Sequence, residues 1–135
     1  MKKDFNPSKV ENISVAIVKE KNELNEDIWN VYLINQKTAT IENVLVSSKG
    51  YLTDIKGVET KTSLLRHAIG NIDSNDYALI EPIIPAVFAL HNEYWVSFFC
   101  NNEMLDKKYI FLAETIKEEN FITIPILNKP GVMIK

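Results

Sequence analysis

Glycine is scarce in this chain, with four in 135 residues. That argues against flexible linkers and glycine-rich phosphate loops. Cysteine occurs once, at Cys100. No internal disulfide can form, and a lone thiol inside an apolar run suits a reducing compartment. Arginine also occurs once, as Arg66, beside fourteen lysines. Sequence-specific nucleic-acid binding leans on bidentate guanidinium groups and a basic surface, and a net charge of -3 is a poor inventory for it. No run approaches the roughly 20 apolar residues of a membrane helix. The charged start Met1-Lys2-Lys3-Asp4-Phe5-Asn6-Pro7 is not followed by the apolar core of a secretory leader. These absences lead us to expect a cytoplasmic protein with no membrane contact.

Catalytic signatures are missing too: there is no GxSxG, no P-loop and no GxGxxG. What is present is an ordinary globular composition, 46% hydrophobic and 24% charged. The length suits one domain able to bury roughly two-thirds of its unfolded surface. Residues 1–10 read as a polar arm in which Pro7 bars regular pairing, and residues 11–135 as the domain.

The densest strand-forming run is Asn92-Glu93-Tyr94-Trp95-Val96-Ser97-Phe98-Phe99-Cys100. With a period of two, Tyr94, Val96, Phe98 and Cys100 share one face, and Trp95, Ser97 and Phe99 the other. Neither face is polar, so this strand is either covered on both sides or has one face in a core and the other against a partner.

Taken in order, Ile13, Val15 and Ile17 mark a first strand, and Glu20 to Glu26 a charged turn. A second strand covers 27–35, with Trp29, Val31 and Leu33 opposing Ile28, Asn30, Tyr32 and Ile34. The short turn 35–38 predicts an antiparallel hairpin with a third strand near 40–48. Ile41 is out of phase with Val44 and Val46, which a bulge at Glu42 or Asn43 would repair. Residues 49–57 read as a long hairpin loop. Residues 63–69 fit either strand or two helical turns, and the β-rich surroundings favour strand. Pro82 and Pro85 make 82–85 an edge or crossover segment, with a single helical turn after it. Lys107 to Ala113 follows as a strand, then Phe121 to Leu127 as a proline-broken one with a short tail. The sum is an all-β chain with little helix. Seven to eight short strands at this spacing predict an antiparallel β-sandwich of immunoglobulin or fibronectin-like build, without the Cys-Trp-Cys hallmark of antibody domains. A small barrel is the alternative.

Arg66-His67 is the most tempting polar pair. On a strand, however, neighbours point to opposite faces, so the two do not converge on one ligand. His91 and Glu93, or Asp73 and Asp76, fall short of a zinc set. Asp73-Ser74-Asn75-Asp76 lacks the glycine and terminal glutamate of a calcium loop. Cys100 between aromatic neighbours reads as packing. We therefore expect no catalytic residue, no cofactor and no metal. Trp29, Tyr32, Tyr94, Trp95 and Phe121 are the candidate interface residues, because tryptophan and tyrosine anchor protein interfaces and a domain this small does not easily bury them all. The segment 121–135 either pairs with its own sheet or reaches a neighbouring subunit as an exchanged arm. The expected partner is another protein or a second copy of the chain, with nucleic acid the weaker reading.

Four stretches carry a family likeness: Ile28-Trp29-Asn30-Val31-Tyr32-Leu33-Ile34-Asn35, Lys61-Thr62-Ser63-Leu64-Leu65-Arg66-His67, Leu79-Ile80-Glu81-Pro82, and Ile124-Pro125-Ile126-Leu127-Asn128-Lys129-Pro130-Gly131. Together they resemble a group of short, uncharacterised bacterial proteins, some bearing a phenylalanyl-tRNA synthetase subunit label. The resemblance implies an accessory or tRNA-adjacent role; apart from it, lysines such as Lys2, Lys3, Lys107 and Lys108 are the residues an RNA-associated domain would use. The resemblance does not imply synthetase activity: the chain is far too short for a class II catalytic domain and lacks its motif arginines and an ATP site. No functional residue carries over from it.

Overall fold

A computed structural model describes residues 10–135, so the arm assigned to residues 1–10, with Lys2, Lys3 and Pro7, lies outside the described residues save for Val10. Ten strands form there: β1 (Ile13–Lys21), β2 (Asp27–Asn35), β3 (Ile41–Thr53), β4 (Glu59–Lys61), β5 (Leu65–Ile72), β6 (Asp76–Ile83), β7 (His91–Cys100), β8 (Glu103–Phe111), β9 (Ile122–Ile124) and β10 (Lys129–Ile134). Two short 3-10 turns, Pro85–Ala89 and Glu118–Asn120, are the helical content. No helix of the described residues is long and apolar enough to cross a membrane.

The strands build two antiparallel sheets facing each other, the expected all-β sandwich. The first has the order β6-β2-β1-β10-β9. The second runs β4-β3-β7-β8, and β5 also pairs with β3. Apolar alternation explains the layering. Val15, Ile17, Val31 and Leu33 of the first sheet meet Val44, Val46, Tyr94, Val96, Phe98 and Tyr109 of the second in one core. Each such side chain contributes about 1.5–3 kcal/mol when fully buried. The Tyr109 hydroxyl donates to the Ile13 carbonyl across the sandwich at 2.7 Å, and burial pushes this phenol's pKa up.

β7 lies between β3 and β8 with the two faces the alternation predicts. Tyr94, Val96, Phe98 and Cys100 are buried, while Trp95 and Phe99 are exposed on the outside. Asn101 and Asn102, at φ 51° and 64°, close the β7–β8 hairpin; asparagine tolerates that left-handed region best among residues with a side chain. Residues 65–72 are strand, and the β3 register breaks between Glu42 and Leu45, with Asn43 at φ 52°, where the phase slip of Ile41 calls for a bulge.

Other expectations need correcting. β2 and β3 do not form a hairpin: β2 belongs to the first sheet and β3 to the second. The link between them is a crossing held by the Asn35 side chain. Its Nδ2 donates to the carbonyls of Ala39, Ile72 and Asp73, each at 3.0 Å, and its Oδ1 accepts from the Lys37 amide at 2.9 Å. The loop expected at 49–57 is strand as far as Thr53, because Tyr51 to Thr53 pair with β4; the turn is only 54–58. The tail after Leu127 is a strand rather than a loose end: β10 spans six residues and pairs with β1 of its own chain. Both β9 and β10 thus complete the first sheet.

The outer side of the first sheet carries a small apolar layer, Ala16, Val18, Ile34 and Ile124, packed by Tyr32, Ile126, Leu127 and Met133. Beside it sits Glu20, which accepts from Asn30 Nδ2 and the Tyr32 hydroxyl at 2.7 Å each and pairs with Lys129. Burial alone would raise the Glu20 pKa, but the hydrogen bonds from Lys129, Asn30 and Tyr32 outweigh it, and the net direction is down. A carboxylate with a lowered folded-state pKa adds stability that is complete above its unfolded pKa and is lost as pH falls through the folded value. Urea unfolding between about pH 6 and pH 3 should therefore show a smaller acid-induced loss in Glu20→Gln than in the parent. Equal losses would refute this.

Candidate functional site

β6 runs along the edge of the first sheet, and its register against β2 slips between Val31 and Tyr32. Leu79 opposes Tyr32 and Glu81 opposes Val31, which leaves Ile80 as the extra residue of a bulge. Unbroken alternation would put Glu81 on the outer face with the exposed Tyr77 and Leu79. The bulge turns it inward instead.

There the Glu81 side chain is 11% exposed and receives donors from three strands of the opposite sheet. Ser48 on β3 donates to Glu81 Oε1 at 2.6 Å. His67 on β5 shares that oxygen through Nε2 at 2.7 Å. An ionised carboxylate only accepts, so Nε2 carries the hydrogen. The Tyr94 hydroxyl on β7 reaches Oε2 at 3.3 Å, and burial followed by the Glu81 charge pushes the Tyr94 pKa up. Ser48 and His67 thus converge on one carboxylate oxygen. A nucleophilic triad instead needs the hydroxyl to donate to the imidazole. The cluster ties the two sheets together across their open edge.

Next to it opens a cleft of about 300 Å³, lined on the polar side by Ser48, Thr62, Ser63, Glu81, Asn92 and Tyr94. Pro82, Ile83, Ile84 and Val87 form the apolar wall.

A second surface lies on the outside of the second sheet. Across it, Arg66, Ser47, Trp95 and Lys108 occupy one row of paired positions. Ala68, Leu45, Ser97 and Asp106 form the next, followed by Glu42, Phe99 and Met104. Trp95 is 44% exposed, and Leu45, Phe99 and Met104 are exposed as well. The Lys108 ammonium sits 4.7 Å from the centre of the Trp95 ring. A depression of about 460 Å³ is lined by Leu45, Arg66, Trp95, Met104 and Asp106 among others.

The five aromatic candidates do not share this face. Trp29 and Phe121 are half-buried and pack edge to face, 5.8 Å apart, and Phe88 packs edge to face on Trp29 as well, 4.9 Å away. Tyr32 lies on the outside of the first sheet against Tyr77. Tyr94, 1% exposed, is core, which corrects its reading as a surface anchor. Trp95 alone stands on the exposed face of the second sheet. Arg66 and His67 point to opposite faces, as adjacent strand residues must: Arg66 lies outward opposite Ser47 and His67 reaches inward to Glu81. Of the remaining polar candidates, His91 Nδ1 accepts from the Ala113 amide at 2.9 Å. Glu93 accepts from the Tyr51 hydroxyl at 3.1 Å and lies 3.8 Å from Lys49.

Glu81 and Ser48 were not among the residues singled out from sequence. Tyr77-Ala78-Leu79-Ile80 is apolar at every position, so no phase slip betrays the bulge that aims Glu81 inward. The fold defines the class, a two-sheet antiparallel β-sandwich. Compared with known proteins, the chain matches no family model, no curated sequence and no solved structure.

Proposed function

We propose that the domain is a non-catalytic interaction module that pairs with a second copy of itself through the outer face of the second sheet. The observation that carries this reading is the charge order along that face. Arg66 and Lys108 flank Trp95 in one row, while Asp106 and Glu42 lie in the next rows along the strands. Neither Arg66 nor Asp106 has an ion-pair partner among the described residues. A two-fold axis in the interface plane and perpendicular to the strands lays the basic row of one copy over the acidic rows of the other. It also brings Trp95 onto the partner's apolar strip. Aromatic and arginine side chains at the centre of a patch are the usual anchors of such contacts.

Sedimentation over a range of protein concentrations tests it. The parent should form a dimer, Trp95→Asp a monomer, and Lys108→Glu, which the axis sets over the partner's Asp106 on the same strand, a weakened dimer that the further change Asp106→Lys restores. A parent that stays monomeric throughout, or a Trp95→Asp protein that dimerises as well as the parent, would overturn the proposal. RNA recovered with the protein and lost steeply as salt rises would instead favour the tRNA-adjacent role implied by the sequence resemblance.

A further inference from the structure

The cleft beside Glu81 contains two acceptors that the protein leaves under-used. Asn92 is 5% exposed, and its Nδ2 donates to the carbonyls of Val87 and Leu90 at 3.0 and 3.1 Å. Those two bonds fix which end of the amide is nitrogen, and the other end, Oδ1, receives no donor among the described residues. Buried polar atoms are ordinarily hydrogen-bonded, so an acceptor left over at the wall of a cleft points to something that visits it. The second acceptor is Glu81 Oε2, whose one contact is the long one from Tyr94.

Gly50 lines the cleft beside Asn92, and its lack of a side chain leaves Asn92 Oδ1 uncovered on that side. A Cβ there would lie 3.1 Å from Thr62 Cγ2, 3.2 Å from Leu90 Cδ1 and 3.6 Å from Asn92 Oδ1. The one cation at the rim, Lys49, extends toward Glu93 on the outer face, 3.8 Å away. His67 already shares Glu81 Oε1. An anion would meet the Glu81 charge with no free cation to offset it. A neutral apolar molecule would leave both acceptors bare, and leaving buried acceptors unpaired is costly.

We propose that this cleft binds a small ligand whose head is a cationic hydrogen-bond donor, a primary ammonium or guanidinium, carried on a short apolar body. The head donates to Glu81 Oε2 and Asn92 Oδ1, and the body lies along Ile83, Ile84 and Val87. At about 300 Å³ the cleft is at the small end of ligand pockets, which suits a metabolite-sized amine rather than a peptide. It lies between the sheets, away from the Trp95 face, so the proposal stands or falls independently of self-association.

The test is a titration of the full chain with n-butylammonium, followed by amide chemical shifts, with n-butanol as the neutral control at constant ionic strength. Saturable shifts at Gly50 and at the Asn92 side-chain amide are expected with butylammonium and not with butanol. Glu81→Gln should weaken binding at least tenfold. Gly50→Ala keeps the carboxylate and fills the space before Asn92, and it should weaken binding as much; it also serves if Glu81→Gln unfolds. Shifts that never saturate, an equal response to butanol, or parent-like binding by both variants would overturn the proposal.

Discussion

Asn35→Ala is expected to destabilise the fold by about 3 kcal/mol, the range for stripping partners from several buried polar groups at once. Asn35 is 0% exposed and sits where the chain leaves the first sheet for the second. Its amide nitrogen serves three carbonyls, those of Ala39, Ile72 and Asp73, and its oxygen holds the Lys37 amide. One side chain therefore satisfies both ends of the crossing and fastens it to the last residue of β5. Alanine returns none of those bonds and leaves a small void. Asn35→Asp is a sharper variant, because a carboxylate keeps the acceptor for Lys37 but presents charge to the three carbonyls. Urea unfolding monitored by tryptophan fluorescence reads both. A loss under about 0.5 kcal/mol, the size of an ordinary surface change, would show that the crossing does not depend on this clamp.

Gly131→Ala should also cost about 3 kcal/mol, at the upper end for overpacking, for a different reason. Gly131 on β10 pairs with Val18 on β1 and with Ile122 on β9, so it lies in the middle of the first sheet. A Cβ built there would lie 2.3 Å from the Ile17 carbonyl oxygen and 3.0 Å from Val18 Cα. Both are backbone atoms, and no side-chain rotation relieves the contact. Either β10 lifts away from β1 or the β1 backbone moves, and β1 is buried from Ile13 to Val18. Thermal unfolding is the check, with Gly57→Ala as the comparison: that glycine has nothing within 4 Å of an added Cβ, and its cost comes from its φ of 83° alone. If Gly131→Ala unfolds no earlier than Gly57→Ala, the close approach of β10 to β1 is wrong.

Much of the architecture was legible in the residues. β7 declared both its faces, since Tyr94, Val96, Phe98 and Cys100 alternate with Trp95, Ser97 and Phe99 without interruption. The β3 bulge was legible because Ile41 falls out of step with Val44 and Val46, and a slipped period is a local signal. Pro82 and Pro85 marked 82–85 as an edge or crossover segment; β6 is indeed an edge strand, but it runs on through Pro82 to Ile83 instead of stopping before it. The site was much less so. Trp95 and Arg66 could be picked out by residue type, but their common row on one face depends on register across β5, β3 and β7.

What the sequence alone determined is therefore the class of the fold and the faces of its strongest strands, because side-chain alternation is a property of neighbouring residues. What only the tertiary structure decided is which strand pairs with which. Residues 35–40 serve a hairpin or a sheet crossing equally well, and the choice falls to Asn35 meeting carbonyls 37 and 38 positions away. β10, with Pro130 and Gly131 in its length, looks like a tail until β1 supplies its partner from the other end of the domain. Glu81 reaches Ser48, His67 and Tyr94 because a bulge in an evenly apolar strand reverses its direction. Pairings of that kind are settled by free energy gained between distant segments, and no local pattern records it.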